Sequence, residues 1–228
     1  MEKIDYLGDW DWMIILDACR YDFFVKLWNR GITEPRLSLA SDTIGTLKKM
    51  PEIPDSILIT GHPFPLRFKH KFTHVIDAGF NYKLSTCPPE YIVHKVINYY
   101  KFINKFKRKI LWFLQPHHPY LGKTKFDLRI YKDILGRKMT PVQESIAAFA
   151  EAKRQGILEK AYRDNLEYVL GYVNKLLGVI KGKIVITSDH AEGLGIPLRK
   201  EDKPVLYHPA GREEWEVRVI PYCVIFSV

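Results

Sequence analysis

Three apolar runs in this chain end in residues that can hold a cation or move a proton. Asp11 to Asp17 (DWMIILD) ends in a carboxylate. Lys109 to Leu114 (KILWFL) is followed by Gln115-Pro116-His117-His118, and Lys183 to Thr187 (KIVIT) by Ser188-Asp189-His190. Short apolar runs bounded by polar residues read as buried parallel strands, and open α/β sheets carry their sites at the carboxyl ends of such strands. Asp17, Asp189 and His190 offer two carboxylates and an imidazole, a donor set suited to a hard or borderline divalent ion. Each has a plainer account alone: Asp17 could cap the helix that follows, and a lone Asp-His dipeptide is a weak signal. The coincidence of the strand ends carries the reading.

The elements that must position these residues follow from the apolar spacing. Arg20 to Arg30 has helix-compatible spacing and a stop at Gly31. Ser56 to Thr60 (SILIT) and His74 to Ile76 read as further short strands. Tyr91 to Phe106 carries apolar residues at helical spacing. Thr124 to Gln155, charged and with Pro141, reads as helical insertions over the sheet edge. Leu158 to Ile180 is the longest amphipathic helix, with Leu166, Val169, Leu170, Val173 and Leu177 on one stripe. Val217 to Phe226 is a last apolar strand broken by Pro221. Strands alternating with helices predict a three-layer α/β/α fold with a mostly parallel central sheet. No repeat or Gly/Ser-rich linker interrupts it, so one domain over 1–228 is the economical expectation.

Composition narrows the class further. With 46% hydrophobic residues in 228, the chain is globular rather than disordered. Cys19, Cys87 and Cys223 are odd in number, widely spaced and without a CxxC pair, which excludes a zinc ribbon and favours free thiols in a reducing compartment. The charged start Met1-Glu2-Lys3-Ile4-Asp5 lacks a signal-peptide core, and the apolar runs are too short to span a bilayer. The expectation is a cytoplasmic protein without a transmembrane segment. The formal charge of +9 is dense in Arg67-Phe68-Lys69-His70-Lys71 and again over Lys101, Lys105, Lys107, Arg108 and Lys109. Such clusters are solvated faces, or they attract an anionic substrate, a nucleic acid or a membrane surface. An anionic ester substrate agrees with the charge; a nucleic-acid partner is allowed by it and indicated by nothing else. Oligomeric state is not readable.

Four segments in order resemble one family. Ile186-Thr187-Ser188-Asp189-His190-Ala191-Glu192-Gly193-Leu194-Gly195 resembles the T-S-D-H-G-E-x-L-G segment of the alkaline phosphatase superfamily in its sulfatase-like branch. Leu16-Asp17-Ala18-Cys19-Arg20-Tyr21-Asp22 is similar to that branch's L-D-x-x-R-x-D, and Pro116-His117-His118-Pro119-Tyr120 to its P-H-x-P-Y loop. Tyr207-His208-Pro209 followed by Val217-Arg218-Val219-Ile220-Pro221 looks like its late G-H … R-V-P stretch. The matches span nearly the whole chain.

The resemblance implies roles. Asp17, Asp189 and His190 would be metal ligands, for one or two divalent ions, zinc first, with manganese, magnesium or calcium as alternatives. His117 and His208 would bind ester oxygens, hold a second metal or protonate the leaving oxygen, with His118 competing for the place of His117. The family's nucleophile lies at a helix N-terminus, here within Ala40 to Leu47. Thr43, followed three residues on by Thr46, is chosen both as nucleophile and as a further metal ligand; Ser41 is the runner-up. Arg20, Ser41 and His118 are the candidate substrate contacts, although an ion pair of Arg20 with Asp22 is the favoured structural account.

There are departures from the pattern. No C/S-x-P-S-R segment exists for the aldehyde chemistry of sulfatases proper, which turns the expectation toward phosphate mono- or diesters. Ala18 stands where many sulfatases have a second Asp, and Ala191 replaces a glycine. Cys19 does not open a C-x5-R loop, because Val25 takes the arginine's place. Hydrolase and transferase remain open, as do sulfuric ester cleavage and a catalytically silent basic module for anionic polymers.

Overall fold

The computed structural model describes residues 1–125 and 140–227. Its core is a seven-stranded sheet in the order β2-β9-β6-β1-β5-β3-β4. Those strands are β1 (Trp12–Leu16), β2 (Ile32–Leu37), β3 (Ile53–Thr60), β4 (Phe72–Asp77), β5 (Arg108–Phe113), β6 (Gly182–Thr187) and β9 (Val219–Ser227). Strands β6, β1, β5, β3 and β4 are mutually parallel, and β9 runs antiparallel to both β6 and β2. The expected three-layer α/β/α architecture with a mostly parallel sheet is what the chain adopts.

The three layers follow from strand alternation. Trp12, Ile14 and Leu16 of β1 join one core with Leu111, Phe113, Ile184 and Ile186. Met13 and Ile15 join the other with Ile110, Trp112 and Val185. Successive side chains of a strand point to opposite faces, so a strand apolar throughout must be covered on both. The first face is thick: α1 (Tyr21–Leu27), α4 (Pro89–Ile103), α5 (Pro141–Arg154) and α6 (Leu158–Leu177) pack there. On the second, α2 (Thr43–Lys49), α3 (Pro63–Arg67) and the segment carrying Ile4, Tyr6 and Trp10 form a thinner cover.

Several expectations need correction. The helix read over Arg20 to Arg30 ends at Leu27, with extended backbone at Trp28. Strand β2, which periodicity does not reveal, is a half-exposed edge strand carrying Pro35. Pro221 does not break the last strand: it lies opposite Pro35 and beyond the last pair with β6, Thr187 with Tyr222. Two residues that lack an N–H thus pair with each other, and neither deprives a partner of a bond. A helical turn, α7 (Trp215–Arg218), occupies the first part of the expected strand. Of the helical insertion read over Thr124 to Gln155, α5 accounts for the C-terminal half, with a Thr140/Gln143 capping box. The rest, over 126–139, lies outside the described residues.

Candidate active site and cation-binding groups

Four parallel strands deliver polar residues to one edge of the sheet. Asp17 follows β1, His62 follows β3, His117 follows β5, and Asp189 with His190 follows β6. Ser188 ties two of these ends together: its hydroxyl accepts from the Cys19 N–H at 2.8 Å and donates to the Leu16 carbonyl. The His117 N–H donates to the Asp17 carbonyl at 3.0 Å.

Among the described residues, two groups of potential ligands result. Asp17, Asp189 and His190 each place one ligand atom within 4.8 Å of the others, and all are buried. His190 Nε2 is 3.2 Å from Asp17 Oδ1 and 3.6 Å from Asp189 Oδ2. Thr43 Oγ1 is 3.2 Å from the same nitrogen. The His190 ring donates from Nδ1 to the Ala191 carbonyl at 3.0 Å, so Nε2 is the atom facing the carboxylates. His117, Glu192 and His208 form a second group on the same criterion. His208 Nδ1 lies 2.8 Å from Glu192 Oε1, and the His208 ring packs 4.4 Å from His190.

The chemistry of the donors fits a divalent cation. Asp17 Oδ1, Asp189 Oδ2 and Glu192 Oε2 are sealed from solvent and accept no hydrogen bond among the described residues. Buried carboxylate oxygens without donors are costly. The protons register the same strain. Burial opposes charge on His190, but the Asp189 and Asp17 carboxylates beside it hold the ring protonated up to about 10. Burial raises Asp189 to about 6 and Glu192 to about 8, while His117 is lowered to about 4 by the same desolvation. Burial works against the Asp17 carboxylate too, yet the histidines around it hold its pKa well below the usual range. A site that must borrow protons to neutralise its carboxylates is one in which a cation can replace them.

The remaining sequence candidates divide clearly. Asp42 caps α2, its carboxylate accepting the Gly45 N–H at 2.8 Å, so Thr43 is free of capping. Asp17 is not a cap either: the residue at the start of α1 is Arg20, without a side-chain cap bond. The Ser41 hydroxyl donates to the Pro209 carbonyl at 2.8 Å and accepts from the Arg212 N–H, fastening one loop to another. Thr46 likewise fastens the Asp189 carbonyl at 2.9 Å. His118 stacks 4.1 Å from His117 and contacts Phe149 and Tyr207, outside both ligand groups.

Arg20, expected among the substrate contacts, is fully buried with all five donors engaged. It forks onto Asp22 at 2.9 Å twice, bonds Glu216 Oε1 at 2.9 Å, and reaches the Glu192 and Ile196 carbonyls. Nothing of it is left for a substrate. Glu216 in turn accepts from the Leu194, Ile196 and Val205 amides. This pair therefore braces the small hairpin of β7 (Gly193–Leu194) and β8 (Leu206–Tyr207), which carries His208 to Glu192. Gly193 is required there, since a Cβ would stand 2.2 Å from the Tyr207 carbonyl oxygen.

Two residues escaped the sequence reading, Glu192 and His62. Glu192 lies two positions after His190 inside the matched segment, and His62 follows an apolar strand as the other site residues do; the strand-end rule, applied to SILIT as well, finds it. Of the two accounts left open for the basic clusters, their position favours solvated faces. Lys69–Lys71 immediately precedes β4 and Lys105 to Lys107 immediately precedes β5. Both lie at the amino ends of strands, about 20 Å from the opposite edge for six residues at ~3.3 Å each. At ~8 Å screening lengths their pull on a bound anion is weak.

No protein-family model matches the chain and no curated protein matches it. Solved structures do. The soluble domain of lipooligosaccharide phosphoethanolamine transferase A from Neisseria meningitidis superposes with a TM-score of 0.60 at 11% identity, over 98% of this chain and 79% of that one. The C-terminal periplasmic domain of EcEptC from Escherichia coli, in complex with Zn, gives 0.51 at 12% identity, over 98% and 75%. A 2-O GAG sulfatase gives 0.52 at 12% identity, over 94% and 63%. Among the described residues no helix is long and apolar enough to cross a membrane; with a periplasmic domain among these structures, the cytoplasmic expectation draws no support from the likeness. The chain therefore shares its fold with these phosphoethanolamine transferase and sulfatase domains, in line with the resemblance its four motifs carry.

Proposed function

We propose that residues 1–228 form one domain that cleaves or transfers a phosphate mono- or diester with the help of a divalent cation, through Thr43. The observation that carries this is the position of the Thr43 hydroxyl, free of helix capping, with Oγ1 3.2 Å from His190 Nε2 at the group formed by Asp17, Asp189 and His190. Asp17, Asp189 and His190 would hold the cation, with Thr43 as a further ligand. When bound, such an ion lowers the pKa of a neighbouring hydroxyl and offsets negative charge on ester oxygens. The zinc in the Escherichia coli domain supports zinc as the first ion to try.

The chain's own residues supply the rest. Thr43 gives its proton to water as Oγ1 bonds to phosphorus and the bond to the departing alcohol oxygen breaks. His117 and His208 orient the ester, and either ring, once protonated beside the anionic ester oxygens, gives that oxygen its proton. Water, or an acceptor alcohol in a transferase, then attacks phosphorus and gives up its proton, the bond from phosphorus to Oγ1 breaks, and Oγ1 takes a proton back. The buried Glu192 carboxylate, 2.8 Å from His208 Nδ1, fixes the ring that faces the leaving group. A sulfuric ester is the second reading, favoured by the likeness to a sulfatase and disfavoured by threonine in place of the C/S-x-P-S-R residue.

The test assays the zinc-loaded protein on p-nitrophenyl phosphate, bis-p-nitrophenyl phosphate and p-nitrophenyl sulfate, together with Thr43→Ala. Loss of phosphate ester cleavage by at least about 10³-fold in the variant, with its fold intact, is expected for a lost nucleophile. Full activity of Thr43→Ala overturns the role, and cleavage of the sulfate alone moves the second reading forward.

A further inference from the structure

His62 is buried at the end of β3, and neither the strand-end reading nor the ligand groups include it. Its Nε2 lies 3.0 Å from Asp17 Oδ2, and its Nδ1 accepts the Phe64 N–H at 3.2 Å. A backbone N–H only donates, so Nδ1 carries no proton and the single ring proton of the neutral form sits on Nε2. That proton is directed at Asp17. A nitrogen so protonated has no lone pair for a metal, which separates His62 from a ligand.

Several contacts hold the ring at this angle. Thr60 Oγ1 donates to the Trp112 carbonyl at 2.7 Å and accepts the His62 N–H at 3.0 Å. Gly61 allows the chain to pass where a Cβ would stand 2.1 Å from the Gly79 carbonyl oxygen. The ring edge then meets Trp112, with centroids 6.4 Å apart. The consequence falls on Asp17, whose Oδ2 is occupied by His62 while Oδ1, without a hydrogen bond, turns toward His190.

We infer that His62 is a positioning residue: by donating Nε2–H to Asp17 Oδ2 it presents Oδ1 as a one-oxygen ligand to the divalent cation. The inference rests on the cation reading proposed above and adds to it the residue that sets the ligand's orientation. Carboxylates in such sites are oriented by groups behind them, and removing these weakens binding by about 10–100-fold.

The test compares zinc affinity, by competition with a chelating dye, in the wild type, His62→Gln, His62→Leu and Asp189→Ala. Glutamine can place an N–H near the position of Nε2; leucine fills the space without a donor. Expected is a loss of about 10–100-fold in His62→Leu, substantially restored in His62→Gln, with near-UV circular dichroism of both metal-free variants like the wild type. In parallel, ¹⁵N spectra of the metal-free wild type should show His62 protonated at Nε2 and bare at Nδ1. Wild-type affinity in His62→Leu overturns the inference, and so does the opposite tautomer. Equal loss in leucine and glutamine variants also overturns it, since a donor then makes no difference. Should the wild type bind no zinc while His62 shows the expected tautomer, the cation reading itself has failed, and this role falls with it. That outcome is distinguished from a failure of His62 alone by the wild-type and Asp189→Ala titrations.

Discussion

The two ligand groups are built by different means. Asp17, Asp189 and His190 stand on the ends of adjacent strands β1 and β6, and their backbone is locked by Ser188, Thr46 and the amides that Asp189 Oδ1 accepts from Ala18 and His190. His117, Glu192 and His208 are brought together by loops and a two-residue hairpin. The loop of His117 is held from outside by Asn165 of α6, whose amide donates to the Pro116 and His117 carbonyls. The hairpin of His208 is held by Arg20 and Glu216. A group on a sheet edge inherits the rigidity of the sheet; one on loops is only as fixed as the side chains that brace them. On the proposed reading the first group holds the ion, and the second meets different parts of the ester.

If that contrast is right, damage to the first group should remove chemistry outright. Asp189→Ala is expected to lose tightly bound zinc and all measurable ester cleavage, read by metal analysis and by p-nitrophenyl phosphate turnover. Retention of both would break the comparison at its base. Damage to the brace of the second group should show first as lost stability. Arg20→Ala leaves Glu216 buried and without its cation, and is expected to destabilise by about 3–5 kcal/mol in denaturant unfolding. Hydrogen exchange should then accelerate at the Leu194 and Val205 amides more than in β1; uniform acceleration would argue against a separately braced hairpin.

Within the second group, His208→Ala should slow turnover by about 10²-fold or more while zinc remains bound at the first group. Loss of all zinc in that variant would mean that the two groups are one site. The smallest effect is expected from Tyr162→Phe. Its hydroxyl donates to the Ala18 carbonyl and accepts the Arg20 N–H, both at 2.8 Å, so its removal should cost about 1–3 kcal/mol of stability with the zinc affinity nearly unchanged.

The ends of the apolar runs were legible because a strand buried on both faces must be apolar until it leaves the sheet, and the first polar residue marks the exit. Asp17, His117 and the Asp189-His190 pair are visible for that reason. Strand β2 was hidden because an edge strand with half-exposed residues has no such constraint. Along the chain Thr43 was preferred to Ser41 only for the second hydroxyl at Thr46. The fold separates them by giving Ser41 to Pro209 and Arg212 and leaving Thr43 beside His190.

By itself, then, the sequence determined the α/β class, the strands that carry the site, and three of the residues grouped at its centre, since all of these follow from local hydrophobic patterning and from motifs in order. The tertiary structure alone decided which polar residues face one another. Arg20 meets Glu216 and Glu192 across more than 170 positions, and His62 meets Asp17 across 45. Hydrogen bonds between strand ends depend on sheet order, and sheet order is set by the packing of the whole chain. That is why Arg20 changed from a substrate contact to a brace, and why His62 came to stand behind the first carboxylate.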